Sequence, residues 1–320
     1  MKYKLFGTST GLYSSEIILG TANFGTRIGY GANPEEAKEI LTAYADAGGN
    51  FIDTSDQYQL GESEEVVGKF IENQRNNFII CTKYTRSSEA DPKISNYGNH
   101  RKAMRQAIES SLKRLKTDYI DFYMPHFDDG VTPLDEIVRG LEDLVNSGKV
   151  LYTGLSNFPA WKAATVASST KLTAIQIEYN LLQRTADREF LPMAAQFGLG
   201  TMNYSPLAGG LLTGKYRKGE TGRITLNSTS NYQENENTKA ILDQLFIIAE
   251  ELDASPAQVA FAWVLSKGAF PILGARTIHH FNEGLKATSI QLTANHIIKL
   301  DELSAVSLGY PHDLLATVKG

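Results

Sequence analysis

Residues 101–126 read RKAMRQAIESSLKRLKTDYIDFYMPH, an amphipathic segment followed by a short apolar run that closes on proline and histidine. The segment Arg101–Leu115 reads as a helix and the run Tyr119–Pro125 as a strand. The same alternation extends in both directions. Strand-like runs recur at Ile17–Leu19, Phe51–Thr54, Phe78–Thr82, Val150–Leu155, Ala174–Ile177, Gly200–Tyr204 and Phe270–Leu273. Helical segments lie near Pro34–Ala47, Ser63–Glu72, Leu134–Ser147, Trp161–Ala167 and Arg184–Phe197. Two more, Thr238–Leu252 and Pro256–Ser266, precede the last strand, and another, His279–Ala287, follows it. A last amphipathic segment spans Ala294–Val306. Eight strands with intervening helices predict an α/β fold, a parallel (β/α)8 TIM barrel over residues 1–320 as one domain, rather than two domains. The residues before the first strand predict a small hairpin with Gly7 to Gly11 in its turn, placed to plug the barrel floor.

Local signals agree with this division. Asn33-Pro34-Glu35-Glu36 offers a capping side chain, a proline at the first helical position and a carboxylate three residues after the cap. Ser255-Pro256 repeats the device. Thr85–Asn99 and Ala208–Asn237 exceed the usual connection length, and both leave strand ends on the face where barrels build their sites. The stretch Thr221–Asn237 is very polar, which predicts mobility without ligand.

Composition excludes several classes. Hydrophobic residues make up 42 % and charged residues 21 %, enough apolar material for a sizeable core. The net charge is −5 and basic residues are scattered, so neither nucleic acid nor an anionic membrane is an expected partner. One cysteine leaves no internal disulfide and no Cys-based zinc cluster. No apolar run resembles a signal peptide or a membrane span, and the expectation is a cytoplasmic protein. The oligomeric state is not legible.

Chemistry concentrates at the strand ends. Strand two ends Phe51-Ile52-Asp53-Thr54-Ser55, strand three Cys81-Thr82-Lys83, and strand four Met124-Pro125-His126. Side chains alternate faces along a strand, so Lys83 shares a face with Cys81, and Asp53 with Phe51. If these faces point inward, an ammonium, a carboxylate and an imidazole converge at the top of the barrel. A buried lysine needs an anion, and Asp53 is the candidate. Tyr58 lies just beyond strand two, where it can bring its hydroxyl over the same spot. A metal held by His126, Asp128 and Asp129 is the competing reading, and the expectation is that no metal is used. Cys81, Trp161 and Trp263 are expected to pack in the core, whereas Phe24, Tyr84, Phe127 and Tyr310 are candidates for an apolar substrate pocket.

The stretches FIDTSDQY, GESEEVVG, IICTKY, DYIDFYMPH, GKVLYTGLSNF, IQIEYNLLQR, NYSPLAGGLLTGKY and PILGARTIHHFNEGLKA follow one another along nearly the whole chain. In this order they resemble the aldo-keto reductases, most of all the aryl-alcohol-dehydrogenase-like branch. The resemblance implies NADPH-dependent reduction of an aldehyde or ketone, with a small carbonyl compound as substrate. Tyr58 would be the general acid, Lys83 would lower its pKa, Asp53 would hold Lys83, and His126 would orient the carbonyl as a neutral donor. No strand–GxGxxG–helix unit is present. Instead the resemblance implies that Ser156, Asn157 and Gln176 hold the nicotinamide carboxamide and that Tyr204 stacks on its ring. Ser205, Leu207, Gly209 and Leu211 would approach the pyrophosphate, with Lys215 neutralising charge. Arg276 would meet the 2′-phosphate, with Ala275 and His280 nearby, and Gly20, Thr21, Asp53, Gly274 and Glu283 would complete the cofactor site. His280 and Gly284 depart from residues common among relatives at the adenine end, and Met124 departs on the substrate side. The same resemblance also admits a cofactor-sensing interaction protein, since potassium-channel β subunits share this fold and its NADPH site.

Overall fold

The structure is a computed structural model describing residues 1–222 and 234–318. Strands β1 (Tyr3–Leu5) and β2 (Tyr13–Ser15) form an antiparallel hairpin. The following strands are β3 (Ile18–Gly20), β4 (Phe51–Asp53), β5 (Ile79–Tyr84), β6 (Ile120–Pro125), β7 (Val150–Ser156), β8 (Ala174–Glu178), β9 (Gly200–Tyr204) and β10 (Phe270–Gly274). These eight close into a barrel in sequence order, with β10 returning beside β3. The closure is the (β/α)8 TIM barrel that the alternating pattern predicts. Helices α1 (Pro34–Asp46), α2 (Glu62–Ile71), α3 (Arg101–Leu115), α4 (Leu134–Asn146) and α5 (Ala160–Ser169) follow successive strands.

Two compact units divide the chain. The first comprises Met1–Ile177, Met193–Met202 and Ile272–Phe281, and the second Glu178–Pro192, Asn203–Pro271 and Asn282–Gly320. In the first unit the barrel floor is sealed by the hairpin. Phe6 is fully buried, its ring 5.4 Å from that of Phe51 and 5.0 Å from that of Phe122. Gly7 has φ +72°, and a Cβ there would fall 2.5 Å from the carbonyl oxygen of Gly198, so the turn can lie against the floor only with glycine. In the second unit Trp263 is fully buried, its indole nitrogen donating to Asp301 at 3.0 Å and its ring 5.4 Å from that of Tyr179.

Both predicted caps are present. Asn33 and Glu36 form a capping box at the start of α1, and Ser255 and Gln258 form another at the helix Pro256–Ser266. The expected helix Arg184–Phe197 divides instead into a short turn, Thr185–Asp187, and a helix, Phe190–Phe197. Pro192 explains the break: lacking an N–H, it is tolerated in a first turn and not mid-helix. Trp161 is 64 % exposed, which corrects its expected burial. Helix α5 turns Ala160, Ala163 and Val166 inward, and the adjacent position therefore faces out. The last amphipathic segment ends at Leu303, and an additional helix, His312–Val318, follows. Of the polar stretch 221–237, residues 223–233 lie outside the described residues, as does the mobility expected there; its end belongs to the helix Glu236–Glu251, capped by Asn235. Among the described residues no helix is long and apolar enough to cross a membrane.

Candidate active site

The barrel register places Asp53, the last residue of β4, beside Gly20 of β3 and Cys81 of β5. Lys83, two residues further along β5, therefore shares the inward face with Cys81. Its side chain is fully buried, with Nζ 2.8 Å from Asp53 Oδ1 and 2.9 Å from Oδ2, and it donates to the Thr54 carbonyl at 2.7 Å. Gln176, from β8, donates to Asp53 Oδ1 at 2.8 Å. The carboxylate is thus held from both sides. Burial is the largest single influence and disfavours the ammonium, but the charge and hydrogen bond of Asp53, with Tyr58 and Cys81 beside it, together outweigh burial and the Lys83 pKa lies above its ordinary value. Cys81 is buried in the interior as expected, where burial followed by the Asp53 charge drives its thiol pKa well up.

Tyr58 opens the turn after β4, its ring centroid 5.1 Å from Lys83 Nζ and 5.6 Å from the His126 ring, edge to face. Tyr58 is half-buried. Loss of hydration holds its phenol above the ordinary value, with the Lys83 charge opposing. The ammonium lowers it as expected, but desolvation is the larger effect and sets the net direction. The phenol accordingly keeps its proton through neutral pH.

His126 follows β6 and is 9 % exposed. Its backbone N–H donates to the Tyr84 carbonyl at 2.7 Å and to Thr85 Oγ1 at 3.1 Å, while its carbonyl accepts from Asn157 Nδ2 at 2.9 Å. Burial first, then the Lys83 and Arg86 charges, push the imidazole well below its ordinary pKa, so the ring is neutral. Nδ1 lies 3.1 Å from Ser55 Oγ. The loops after β5 and β6 are tied together behind it. Asn99 donates from its backbone to Asp129 Oδ2 at 2.7 Å and from Nδ2 to the Phe127 carbonyl at 2.8 Å. Burial works against the Asp129 carboxylate, but hydrogen bonds from Thr132, Asn99 and Val131 hold its pKa below the usual value. Asp128 pairs with Lys162 at 2.6 Å. Both carboxylates therefore brace loops, and among the described residues no group of His, Cys, Asp and Glu is arranged to hold a metal.

Of the candidate pocket aromatics, Phe127 lies beside the site, 5.6 Å from the His126 ring. Phe24 and Tyr84 are fully buried, so these two do not line it, and Tyr310, in the second unit, is 79 % exposed. Tyr84 points to the opposite face of β5 from Lys83 and stacks on Tyr123 at 5.1 Å.

Of the expected cofactor residues, Gln176 and Thr21 touch Asp53. Ser156 and Gln176 are register neighbours at the ends of β7 and β8, and Asn157, at φ +54°, donates from Nδ2 to Ser156 Oγ at 3.0 Å. Thr21 is fully buried and donates to the Asp53 carbonyl at 3.0 Å, and Ser63 donates to it in turn. Gly20 faces Gly274 across the β3–β10 seam, and a Cβ on Gly274 would meet nothing nearer than Asn23 Nδ2 at 3.9 Å. Ala275 is buried, Arg276 lies over the Tyr30 ring with its guanidinium 4.4 Å from the centroid, and His280 donates from its backbone to Thr277 at 3.2 Å.

Within the second unit, Tyr204 ends β9, and Ser205, Ala208, Gly209 and Gly210 all have positive φ. This run curls the chain through Leu207 and Leu211, and Asn180 Nδ2 holds the Ser205 carbonyl at 2.9 Å. Gly210 packs near Lys215, whose Nζ a Cβ there would approach at 3.2 Å. Glu283 accepts from Gln258 at 3.1 Å and from Lys286 at 2.5 Å.

A sequence model described as the aldo/keto reductase family matches residues 16–305. The chain belongs to the aldo/keto reductase family. Among curated members, it is 32 % identical to a putative aryl-alcohol dehydrogenase of Saccharomyces cerevisiae, over 98 % of this chain and 89 % of the relative. It is 32 % identical to the aryl-alcohol dehydrogenase [NADP(+)] of Phanerodontia chrysosporium, over 97 % of this chain and 88 % of that one. It is 35 % identical to an oxidoreductase, YrpG, of Bacillus subtilis, over 95 % and 96 % of the two chains. This aldo/keto reductase is accordingly an oxidoreductase. Sequence reading singled out Asp53, Tyr58, Lys83 and His126, which the barrel brings together, but passed over Ser55 and Asp56, which lie within the same FIDTSDQY stretch.

Proposed function

We propose that this protein interconverts an aldehyde or ketone and the corresponding alcohol with NADP(H), aromatic aldehydes being the first class to try. One observation carries the reading: a buried ammonium, clamped by Asp53, lies against the ring of a proton-bearing phenol, and a neutral imidazole meets the same ring edge to face. The nicotinamide cofactor, when bound, supplies or accepts the hydride. The residues present fit it. Ser156, Asn157 and Gln176 offer hydroxyl and amide groups suited to an uncharged carboxamide, and the carboxylate among them, Asp53, is already neutralised by Lys83. Arg276 supplies a guanidinium fork suited to a 2′-phosphate, which is the basis for proposing NADP(H) over NAD(H).

The remaining chemistry belongs to the side chains. Tyr58 gives its proton to the carbonyl oxygen as negative charge develops there. Lys83 stabilises the phenolate that this leaves behind, and Asp53 keeps the ammonium in place. His126 orients the carbonyl by donating from Nε2. In the alcohol-oxidising direction the same groups take the proton back. The test is initial rates with NADPH and with NADH on a panel of aromatic, aliphatic and sugar aldehydes, beside the Arg276→Ala variant. The expectation is turnover with NADPH and a KM for NADPH raised by about tenfold in the variant, the NADH rate being little changed. Equal rates with both cofactors, unaffected by the substitution, would refute the assignment of Arg276.

A further inference from the structure

A neutral imidazole carries one ring proton, and His126 can donate to a carbonyl from Nε2 only if Nδ1 is bare. What faces Nδ1 therefore matters. Ser55 is fully buried on the turn after β4, and its hydroxyl has three acceptors in reach. They are His126 Nδ1 at 3.1 Å, the Lys83 carbonyl at 3.3 Å and Asp56 Oδ1 at 3.4 Å. The hydroxyl oxygen also accepts from the Gln57 backbone at 3.4 Å.

Asp56 is 2 % exposed behind this hydroxyl, pinned by its own backbone N–H to the Lys83 carbonyl at 3.0 Å. The groups around its carboxyl come from four elements. Glu64 of α2 and Arg114 of α3 face it, and they are already paired with each other at 2.7 Å. Tyr84 of β5 and Tyr123 of β6 flank it, the Tyr123 hydroxyl being buried with no hydrogen-bond partner among the described residues. His126, for its part, faces Lys83, Arg86 and Tyr58. Burial and the negative charge of Glu64 push the Asp56 carboxyl up to about 8, with Arg114 opposing.

We propose that Ser55 is a positioning residue for His126, donating its hydroxyl proton to Nδ1 and so keeping the ring proton on Nε2, and that the Asp56 carboxyl behind it decides which way that hydroxyl points. A neutral carboxyl does not compete for the hydroxyl proton. An ionised one draws it away, whereupon Ser55 Oγ accepts from Nδ1–H. The ring stays neutral throughout: its proton moves from Nε2 to Nδ1, and the carboxyl proton leaves to water. The consequence for turnover rests on the reductase reading given above, whereas the tautomer does not.

The experiment is nitrogen-15 NMR of the His126 ring in the 320-residue chain without added cofactor, from about pH 6 to about pH 9, with the signal identified by its loss in His126→Gln. Wild type is expected to show Nε2–H at the low end and a shift towards Nδ1–H as pH passes about 8. Asp56→Asn should remain Nε2–H throughout, Ser55→Ala should show a mixture at every pH, and Ser55→Thr should restore the wild-type pattern. Nδ1–H in wild type at the low end, or an unchanged ring in Ser55→Ala, would overturn the role of Ser55. A pH shift that survives Asp56→Asn would overturn the role of Asp56. If the tautomers behave as expected and kcat falls severalfold in Ser55→Ala, both this role and the reductase reading of His126 are supported. If the tautomers behave as expected and kcat is unchanged, the positioning stands and it is the reading of His126 as carbonyl donor that fails.

Discussion

Lys83 combines full burial with a full charge, and three oxygens, two from Asp53 and one from Thr54, surround its Nζ within 2.9 Å. Removing the charge of Asp53 leaves that ammonium uncompensated. Asp53→Asn is therefore expected to lower unfolding free energy by about 3–5 kcal/mol, read from urea denaturation. A loss below about 1 kcal/mol, the range of an exposed pair, would show that water reaches the site. The pairing was legible in the sequence because a lysine and an aspartate end neighbouring apolar strands. The Tyr58 pKa was not, because its sign depends on how much water the phenol loses, which no spacing encodes. Ser55 and Asp56 stayed hidden for a related reason. Their significance lies in which atom each hydroxyl or carboxyl faces, and in a sequence they are two more polar residues in a turn.

Strands β3 and β10 close the barrel, and their seam is tight. A Cβ on Gly20 would fall 2.5 Å from Ile272 Cγ2, a β-branched side chain with little freedom to yield. Gly20→Ala is expected to cost about 1–3 kcal/mol by overpacking, measured by thermal or urea denaturation. The double variant Gly20→Ala with Ile272→Ala, which removes the clashing methyl, should cost less than the sum of the two single changes. At α1, Asn33 accepts from the backbone of Glu35 and Glu36 at 3.0 Å. Asn33→Ala is expected to cost about 1 kcal/mol. Helix starts of this kind were readable because cap, proline and carboxylate have fixed offsets. The break before Phe190 was readable in principle from Pro192, which a continuous helix over 184–197 places in its interior. The outward face of Trp161 was not, because three small or branched neighbours, Ala160, Ala163 and Val166, set the buried stripe of α5 against the pull of the largest apolar side chain.

Across the chain, the alternation of strand and helix was sufficient to predict the barrel, since parallel strands joined by helices close in few ways. It did not reveal how buried charge couples stability to pH. Asp56, with a folded pKa raised from 3.8 to about 8, binds its proton more tightly folded than unfolded. Its contribution to stability is complete below 3.8 and is lost as pH rises to about 8. Asp56→Asn should accordingly gain stability relative to wild type across that window, a difference visible in urea midpoints; parallel curves would contradict the burial of an ionisable carboxyl. His126 acts at the other end. Its folded pKa lies well below 6.5, so the stability of its neutral ring is lost as pH falls beneath that value. The proposed proton donor depends on the same burial, because a fully buried ammonium lies against the ring of a half-buried phenol. The measurement to make is NADPH oxidation with an aromatic aldehyde, run on wild type and Tyr58→Phe beside a direct titration of NADPH binding. The account predicts turnover by wild type, a kcat lower by about 10²–10⁴ in the variant, and NADPH affinity within about twofold. Turnover by Tyr58→Phe at the wild-type rate would contradict it.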